Sequence, residues 1–380
     1  MKKARNVFIR YLRYFCLLCV ITLGLMTIVA CNSDPEEIVN DEPFVFNYPP
    51  VNLDNVGFIM PLGCMIGNHV TPIDHQYYYA PDFMGPQEIV IDVYSPAAGT
   101  ITGIQHMGSF DPSMDDYRLV IQHTDTISSI YIHVDNLSEK VAAFAPPAGE
   151  SVSVNISVFA GEIIGDYSGS VDFNVVDEDV ILTGFIVPES YESESWKIHT
   201  PDPFDYFNES IQSQLVEKSL RTAEPIGGKI DYDIDGRLVG NWFQEGTNGY
   251  AGLDTANYWV GHLAMAYDSI DPEHIIASFG DYSGQPLQFG VKGNMPDPAD
   301  VSVATGPVKY ELVSYDYYDG AEVWDRASLI KGLKVKNYVN VQGVVLFQLI
   351  DDRLLKVEIF PNKVANEVTD FTENVLIYVR

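Results

Sequence analysis

The chain has 380 residues with 46% hydrophobic side chains, and its 53 acidic and 22 basic residues give a formal net charge of −31 at pH 7. This length and hydrophobic content are enough to bury two domain cores. So acidic a surface argues against nucleic acid as a partner and against adsorption to anionic lipid, because both need a basic patch.

The first thirty residues have the pattern of an export signal. A basic start is followed by the uncharged run 14–30. Residues 28–31, at the end of this run, are a branched apolar pair, an alanine and a cysteine. This ending resembles the lipobox of bacterial lipoproteins, which implies that residues 1–30 are a signal peptide and that Cys31 is lipidated. The alternative is an uncleaved anchor, because the run is close to the shortest helix that spans a membrane.

The resemblance to lipoproteins implies a bacterial cell-envelope protein anchored to a membrane by lipid. Asn32 follows the cysteine, where lipoproteins kept in an inner membrane often have aspartate, so an outer membrane is preferred. A lipidated cysteine with several acyl chains anchors a protein more firmly than one chain does. Residues 31–43 are polar and acidic, and they are predicted to form a tether between the lipid and the folded part.

One cysteine, Cys64, is left for the folded part of the exported protein. Cys16 and Cys19 lie in the signal, and Cys31 would carry the lipid. No internal disulfide is therefore expected, and the hydrophobic core has to hold the fold.

Residues 44–195 are patterned almost entirely as β-strands. Short runs rich in branched and aromatic residues occur at 89–94, 119–122 and 129–132, and the run 152–158 alternates with period two. Glycine and proline punctuate these runs, as turns require. The pattern predicts a β domain over 44–195.

A helix is predicted next, within a linking segment at 196–220. Asp202 and Pro203 supply a cap and a first-turn proline. Apolar residues then recur at roughly helical spacing as far as Leu220. We expect one helix near 203–220 that links two domains.

Residues 221–380 are again rich in β patterns and predict a second domain, either a sandwich or a barrel. Turn signals occur at 235–236 and 248–249, and strand-like runs at 341–347 and 354–359. The region has no nucleotide-binding loop and no G-x-S-x-G elbow. The sequence therefore predicts no function for it.

Five short motifs between residues 60 and 175 resemble, in order, the core of the lysostaphin-type zinc endopeptidases, which carry the duplicated hybrid motif. They are His69 with Asp74, the strand and turn 94–101, the strand 119–125 with His123, the Tyr-x-His of 129–134, and the glycine-containing turn 159–165. The resemblance covers about a third of the chain. It implies a fold of small β-sheets for the first domain.

The same resemblance implies zinc ligands at His69, Asp74 and Asp172. His133 would be the catalytic histidine beside the metal-bound water. The family closes with two histidines, however, where this chain has Ser170 and Asp172. A carboxylate is a permitted zinc ligand, but serine cannot replace an imidazole that exchanges protons near neutral pH.

A second departure from the family is one extra residue between His69 and Asp74. Side chains alternate across a strand, so these two residues reach one site only if a bulge or bend, for example at Pro72, absorbs the extra residue. In an unbroken strand His69 would instead share a face with His75.

The aromatic run 77–79 is typical either of a groove that stacks on peptide or glycan or of ordinary sheet packing. Further cleft candidates are His75, Tyr77, His123 and Ser170.

The sequence thus predicts a mainly β, lipid-anchored envelope protein. Its peptidase-like domain is expected to be a pseudoenzyme that binds a ligand such as cell-wall peptide or glycan. Two alternatives stay open: an active zinc metallopeptidase that cleaves cell-wall peptides, and a structural surface lipoprotein. Zinc is the cofactor that the resemblance implies.

Overall fold

The computed structural model describes residues 43–81, 83, 89–108 and 115–380. The predicted signal peptide, Cys31 and nearly all of the tether lie outside the described residues. Val45–Arg380 form one compact unit. Within the described part of the chain, no helix is long and apolar enough to cross a membrane.

Ten strands and a short helix make up the first half of the described chain. They are β1 (Phe58–Met60), β2 (Gln76–Tyr79), β3 (Ile91–Tyr94), β4 (Gly99–His106), β5 (Tyr117–Gln122), β6 (Ile127–Val134), β7 (Asn136–Leu137), α1 (Glu139–Ala142), β8 (Ser151–Val158), β9 (Ile163–Tyr167) and β10 (Ser170–Asp177). Seven of the strands form an antiparallel sheet in the order β1-β2-β10-β6-β5-β4-β8. The other three form a small sheet in the order β3-β9-β7.

Strand alternation gives the seven-stranded sheet two different faces. On β5, Leu119 and Ile121 are fully buried, whereas Arg118 points to the opposite face and is partly exposed. The Tyr131 hydroxyl on β6 donates a 2.7 Å hydrogen bond to the Tyr94 carbonyl on β3. The buried face therefore turns toward the small sheet, and the Arg118 face is left to form the candidate site.

The second half is a closed barrel, which decides between the two predicted architectures. Its strands, in chain order, are β11 (Gly240–Gln244), β12 (His262–Tyr267), β13 (Ile275–Phe279), β14 (Leu287–Val291), β15 (Val308–Asp319), β16 (Glu322–Val323), β17 (Lys334–Asp351), β18 (Leu354–Pro361) and β19 (Leu376–Val379). Eight of them close antiparallel because β14 pairs with both β13 and β15, while β16 pairs only with β15. Large side chains such as Trp242, Tyr310 and Phe347 fill the core of the barrel.

The helix predicted near 203–220 is shorter and begins later. Asp202 acts as a cap, as predicted, but only the 3₁₀ turn Pro203–Tyr206 follows it. The α-helix α2 spans Glu209–Lys218 and has its own cap in Asn208. The helix lies within the predicted range but starts later, because Asn208, whose backbone is extended, follows the 3₁₀ turn and caps α2.

A long hairpin of the barrel packs against the first sheet. Strands β15 and β17 are 12 and 18 residues long. Trp324, in the connection between them, packs edge to face on Phe58 of β1 with 5.5 Å between ring centroids. Both belong to one buried cluster with Tyr317 and Leu333. The two β regions are therefore packed together within one unit, and their separation into domains stays a prediction.

Candidate functional site

The candidate site is a cavity of about 270 Å³ on the outer face of the seven-stranded sheet. Residues of β4, β5, β6 and β10 line it. The remaining lining comes from the turn 69–75 before β2, from the 3₁₀ segment Pro188–His199, and from Tyr250 and Tyr258 of the second half. Both halves of the chain therefore contribute to the cavity.

Asp74 is held by two donors from the segment Pro188–His199. Its Oδ1 lies 3.1 Å from the Lys197 ammonium, and its Oδ2 accepts a 2.8 Å hydrogen bond from the Trp196 indole. Asp74 and Lys197 are only 6% and 5% exposed. Burial alone would raise the pKa of Asp74, but Lys197 and His75 hold it well below its usual range. The carboxylate is therefore charged, and the protein itself compensates the charge.

His75, predicted only as a cleft candidate, is the centre of the cluster. Its Nδ1 lies 3.4 Å from Asp74 Oδ1, and its Nε2 lies 3.1 Å from Asp172 Oδ2. Residues 70–75 belong to no strand. Strand alternation therefore does not apply to them, and Asp74 and His75 both line the cavity although they are adjacent in sequence.

His69 lies in the turn before this segment, where its backbone pairs with Ile66. Its ring is edge to face with that of His75, 5.9 Å between centroids. Burial, followed by the charges of His75 and Lys197, lowers the pKa of His69 to about 4. The imidazole is therefore neutral at neutral pH.

Asp172 lies on β10, paired with Tyr77 of β2, and is 1% exposed. Its Oδ2 lies 3.1 Å from His75 Nε2 and 3.6 Å from His133 Nε2. Its Oδ1 has no hydrogen-bond partner among the described residues. Burial raises the pKa of Asp172. A buried carboxylate oxygen without a partner is costly, so Asp172 is the least satisfied group of the cluster.

His133, the predicted catalytic histidine, lies at the open end of the cluster. Its φ of 66° is left-handed, which is uncommon for a residue other than glycine, and its side chain is 47% exposed. Its Nδ1 lies 3.1 Å from Asp116 Oδ2. Burial lowers its pKa, but the hydrogen bond to Asp116 and the charges of Asp172, Asp116 and Asp135 outweigh burial and raise the pKa to about 9. At neutral pH His133 therefore carries a proton and cannot accept one.

Tyr77 and Ser170 lie beside this cluster. The Tyr77 ring is edge to face with that of His75, 5.0 Å between centroids. Ser170 begins β10 opposite Tyr79, on the same strand face as Asp172. Both residues therefore border the cluster, although neither lines the cavity.

His123 does not line the cavity. Its Nδ1 lies 3.1 Å from the Ala98 carbonyl and its Nε2 lies 2.8 Å from Ser129 Oγ. Burial lowers the pKa of His123 to about 4, against the opposing effect of the Ala98 hydrogen bond. A neutral histidine with both ring nitrogens in contact with local partners fits a structural role at the end of β5.

The donor set does not fit a zinc ion. Across the described residues, no group of three His, Cys, Asp or Glu side chains is arranged to hold a metal. His75 lies between the carboxylates of Asp74 and Asp172. The Lys197 ammonium already lies against Asp74, and a dication at the same carboxylate would be repelled by it.

Sequence reasoning missed the residues that complete the cavity. The lining residues that were not predicted include Gln105, Arg118, Ile130, Asn174, Glu194, Trp196, Lys197, Tyr250 and Tyr258. Alternation along β5 and β10 could have placed Arg118 and Asn174 on one sheet face with Asp172. Trp196 and Lys197 lie outside residues 60–175, from which the site residues were predicted. Their only sequence signal was a tryptophan and a lysine at the end of the acidic run 189–197.

The chain matches no family model and no curated protein.

Proposed function

We propose that this chain is a lipid-anchored protein of the bacterial envelope whose cavity binds cell-wall peptide without cleaving it. The observation that carries the proposal is the Lys197–Asp74 ion pair. A carboxylate that the family resemblance assigns to zinc lies 3.1 Å from an ammonium group of the same chain. The location rests on the lipoprotein-like N-terminus, and the ligand class rests on the resemblance to the lysostaphin-type endopeptidases.

The geometry disfavours peptide cleavage by the mechanism of that family. A zinc peptidase needs three protein ligands and a group that takes a proton from the metal-bound water. Asp74 is already occupied by Lys197 and Trp196. His133 is protonated at neutral pH, because its pKa is raised to about 9. A metal ligand and a proton acceptor that the chemistry would need are both committed to other partners.

The cavity has the composition of a small binding site. Trp196, Tyr250 and Tyr258 line it together with the amides of Gln105 and Asn174. Aromatic rings provide contact area and amides provide oriented hydrogen bonds, the combination found in ligand pockets. A volume of about 270 Å³ is just below the usual range of such pockets, which begins at about 300 Å³. We therefore infer that the cavity accepts one or two residues of a peptide.

Metal analysis of protein purified without chelator distinguishes a binding protein from a peptidase. We expect far less than one zinc per chain and no cleavage of soluble cell-wall peptide. Stoichiometric zinc, together with cleavage that disappears in His69→Ala, would establish the metallopeptidase instead.

Binding is tested by calorimetric titration of a soluble cell-wall stem peptide into the purified full-length protein in detergent. We expect saturable binding that weakens in Tyr258→Ala. Tyr338→Ala is the matched control, because Tyr338 is a 45% exposed tyrosine outside the cavity. Failure of the wild-type protein to bind either the stem peptide or intact cell-wall sacculi would contradict the proposal and favour a structural surface lipoprotein.

A further inference from the structure

Arg118 is the residue at which three neighbouring cavities meet. It lies on β5 between the buried Tyr117 and Leu119. Its side chain lines the candidate site and two further cavities, with volumes of about 270, 190 and 420 Å³. The cavities share lining residues and lie side by side across β4, β5 and β6, and one of them reaches the edge strand β8; together they are called the groove below.

The guanidinium of Arg118 lies over the Trp196 ring and has no acceptor within the part of the chain that the structure describes. Its Cζ lies 5.2 Å from the centroid of the Trp196 ring, which is a cation–π distance. Among the described residues it has no hydrogen bond and no ion pair, and the charges of Asp74 and Glu194 act on it only from a distance. Its five N–H donors form a fixed planar fork, and the described residues leave this fork to solvent or to a ligand.

Lys197, the lysine that lines the same cavity, is not available to a ligand. Its ammonium lies 3.1 Å from Asp74 Oδ1 and 3.3 Å from Glu194 Oε2. The residue is 5% exposed. In a chain with a net charge of −31, the groove therefore offers its accessible positive charge at Arg118.

We infer that Arg118 binds the carboxylate of a peptide-like ligand that lies in the groove, an inference whose ligand class rests on the proposed function. The planar fork matches a carboxylate through two parallel hydrogen bonds. Phosphate shares this chemistry. Asp74 and Glu194 line the same cavity, however, and share the single ammonium of Lys197, so the negative charge that is left uncompensated opposes a dianion more strongly than a monoanion. The free carboxylate of the ligand therefore binds over β5, and the rest of the ligand follows the groove.

Titrations with N-acetyl-D-alanine and with its amide test this inference. NMR monitors the binding of each compound to the full-length protein in detergent. The two compounds differ only in the carboxylate. We expect the acid to bind saturably and the amide to bind at least about tenfold more weakly, with the same loss for the acid in Arg118→Gln. Arg237→Gln is the matched control, because Arg237 lines none of the three cavities. Methyl phosphate should bind more weakly than the acid.

Equal binding of acid and amide, undiminished binding to Arg118→Gln, or no binding of the acid to the wild-type protein would each overturn the inference. Tighter binding of methyl phosphate than of the acid would also overturn it and would assign the site to phosphate. The comparison of acid and amide needs no variant, so the test stands even if Arg118→Gln fails to fold. The stem-peptide titration decides the proposed function separately, because that peptide can bind without depending on Arg118.

Discussion

Lys197 and Asp74 form a buried pair in which an ammonium lies 3.1 Å from a carboxylate that was predicted to be a zinc ligand. Burying two charges costs several kcal/mol of desolvation each, so such a pair need not stabilise the fold in net terms. Removing one partner is different, because the remaining charge is then buried without compensation. The pair also connects the segment Pro188–His199 to the turn before β2, and it thereby shapes the cavity.

Lys197→Met is expected to lower the free energy of unfolding by about 3–5 kcal/mol, because Asp74 is left charged and buried. Urea denaturation measures the change. Lys363→Met is the control: Lys363 is 52% exposed and lies 4.0 Å from Glu367, so its loss should change stability by no more than about 0.5 kcal/mol. An equally small effect for Lys197→Met would show that the pair does not hold the site together.

His133 gives the protein a pH dependence whose sign follows from its raised pKa. The folded state binds this proton more tightly than the unfolded state, so the stabilisation is complete below the ordinary pKa of 6.5 and is lost as the pH rises through about 9. An NMR titration of the imidazole should give a midpoint near 9 that falls in Asp116→Asn. The effect on stability should be modest, because the side chain is 47% exposed and screened by solvent. A wild-type midpoint near 6.5 would contradict this account.

At the scale of elements, the strands were predictable and the segment that completes the site was not. Period-two alternation predicted the run 152–158, and β8 (Ser151–Val158) confirms it. No local sequence pattern, by contrast, predicts the hydrogen bond that the Trp196 indole donates to Asp74, which lies 122 residues earlier in the chain. The segment Pro188–His199 is a kinked 3₁₀ structure with no apolar periodicity, and its position depends on these long-range contacts.

The helix α2 shows how a cap determines a boundary. The Asn208 side chain accepts a 3.1 Å hydrogen bond from the Ile211 amide. Asn208→Ala should therefore cost about 1 kcal/mol of unfolding free energy, whereas Asn208→Asp, which keeps the acceptor, should cost much less. Thermal or urea unfolding of the two variants checks this. Equal losses in both would mean that the cap contributes nothing.

At the scale of the whole molecule, the cavity depends on the packing of both β regions. Tyr250 and Tyr258, which follow β11, line it together with residues of the first sheet. The sequence predicted a β-rich second half, but it could not predict that β14 would pair with β15 to close a barrel, because strand pairing is set by tertiary contacts. For the same reason, no local pattern indicates that the two halves share a site.

The location of the molecule is tested through its N-terminus. Cys31→Ser should abolish incorporation of labelled fatty acid and release the protein from the membrane fraction, because the acyl chains supply the anchoring energy. Cys64→Ser is the control and should leave both properties unchanged, since Cys64 lies within the folded unit. Fatty-acid labelling that persists in Cys31→Ser would contradict the lipoprotein assignment.

The most direct test of the central claim is one calorimetric titration of stem peptide into the full-length protein, made before and after treatment with a chelator. We expect the same affinity in both runs, because the site has an internal ammonium in place of a metal. We also expect the peptide to be recovered intact. Binding that is lost on chelation, or peptide recovered as cleaved fragments, would show that a metal works in this cavity and that the claim is wrong.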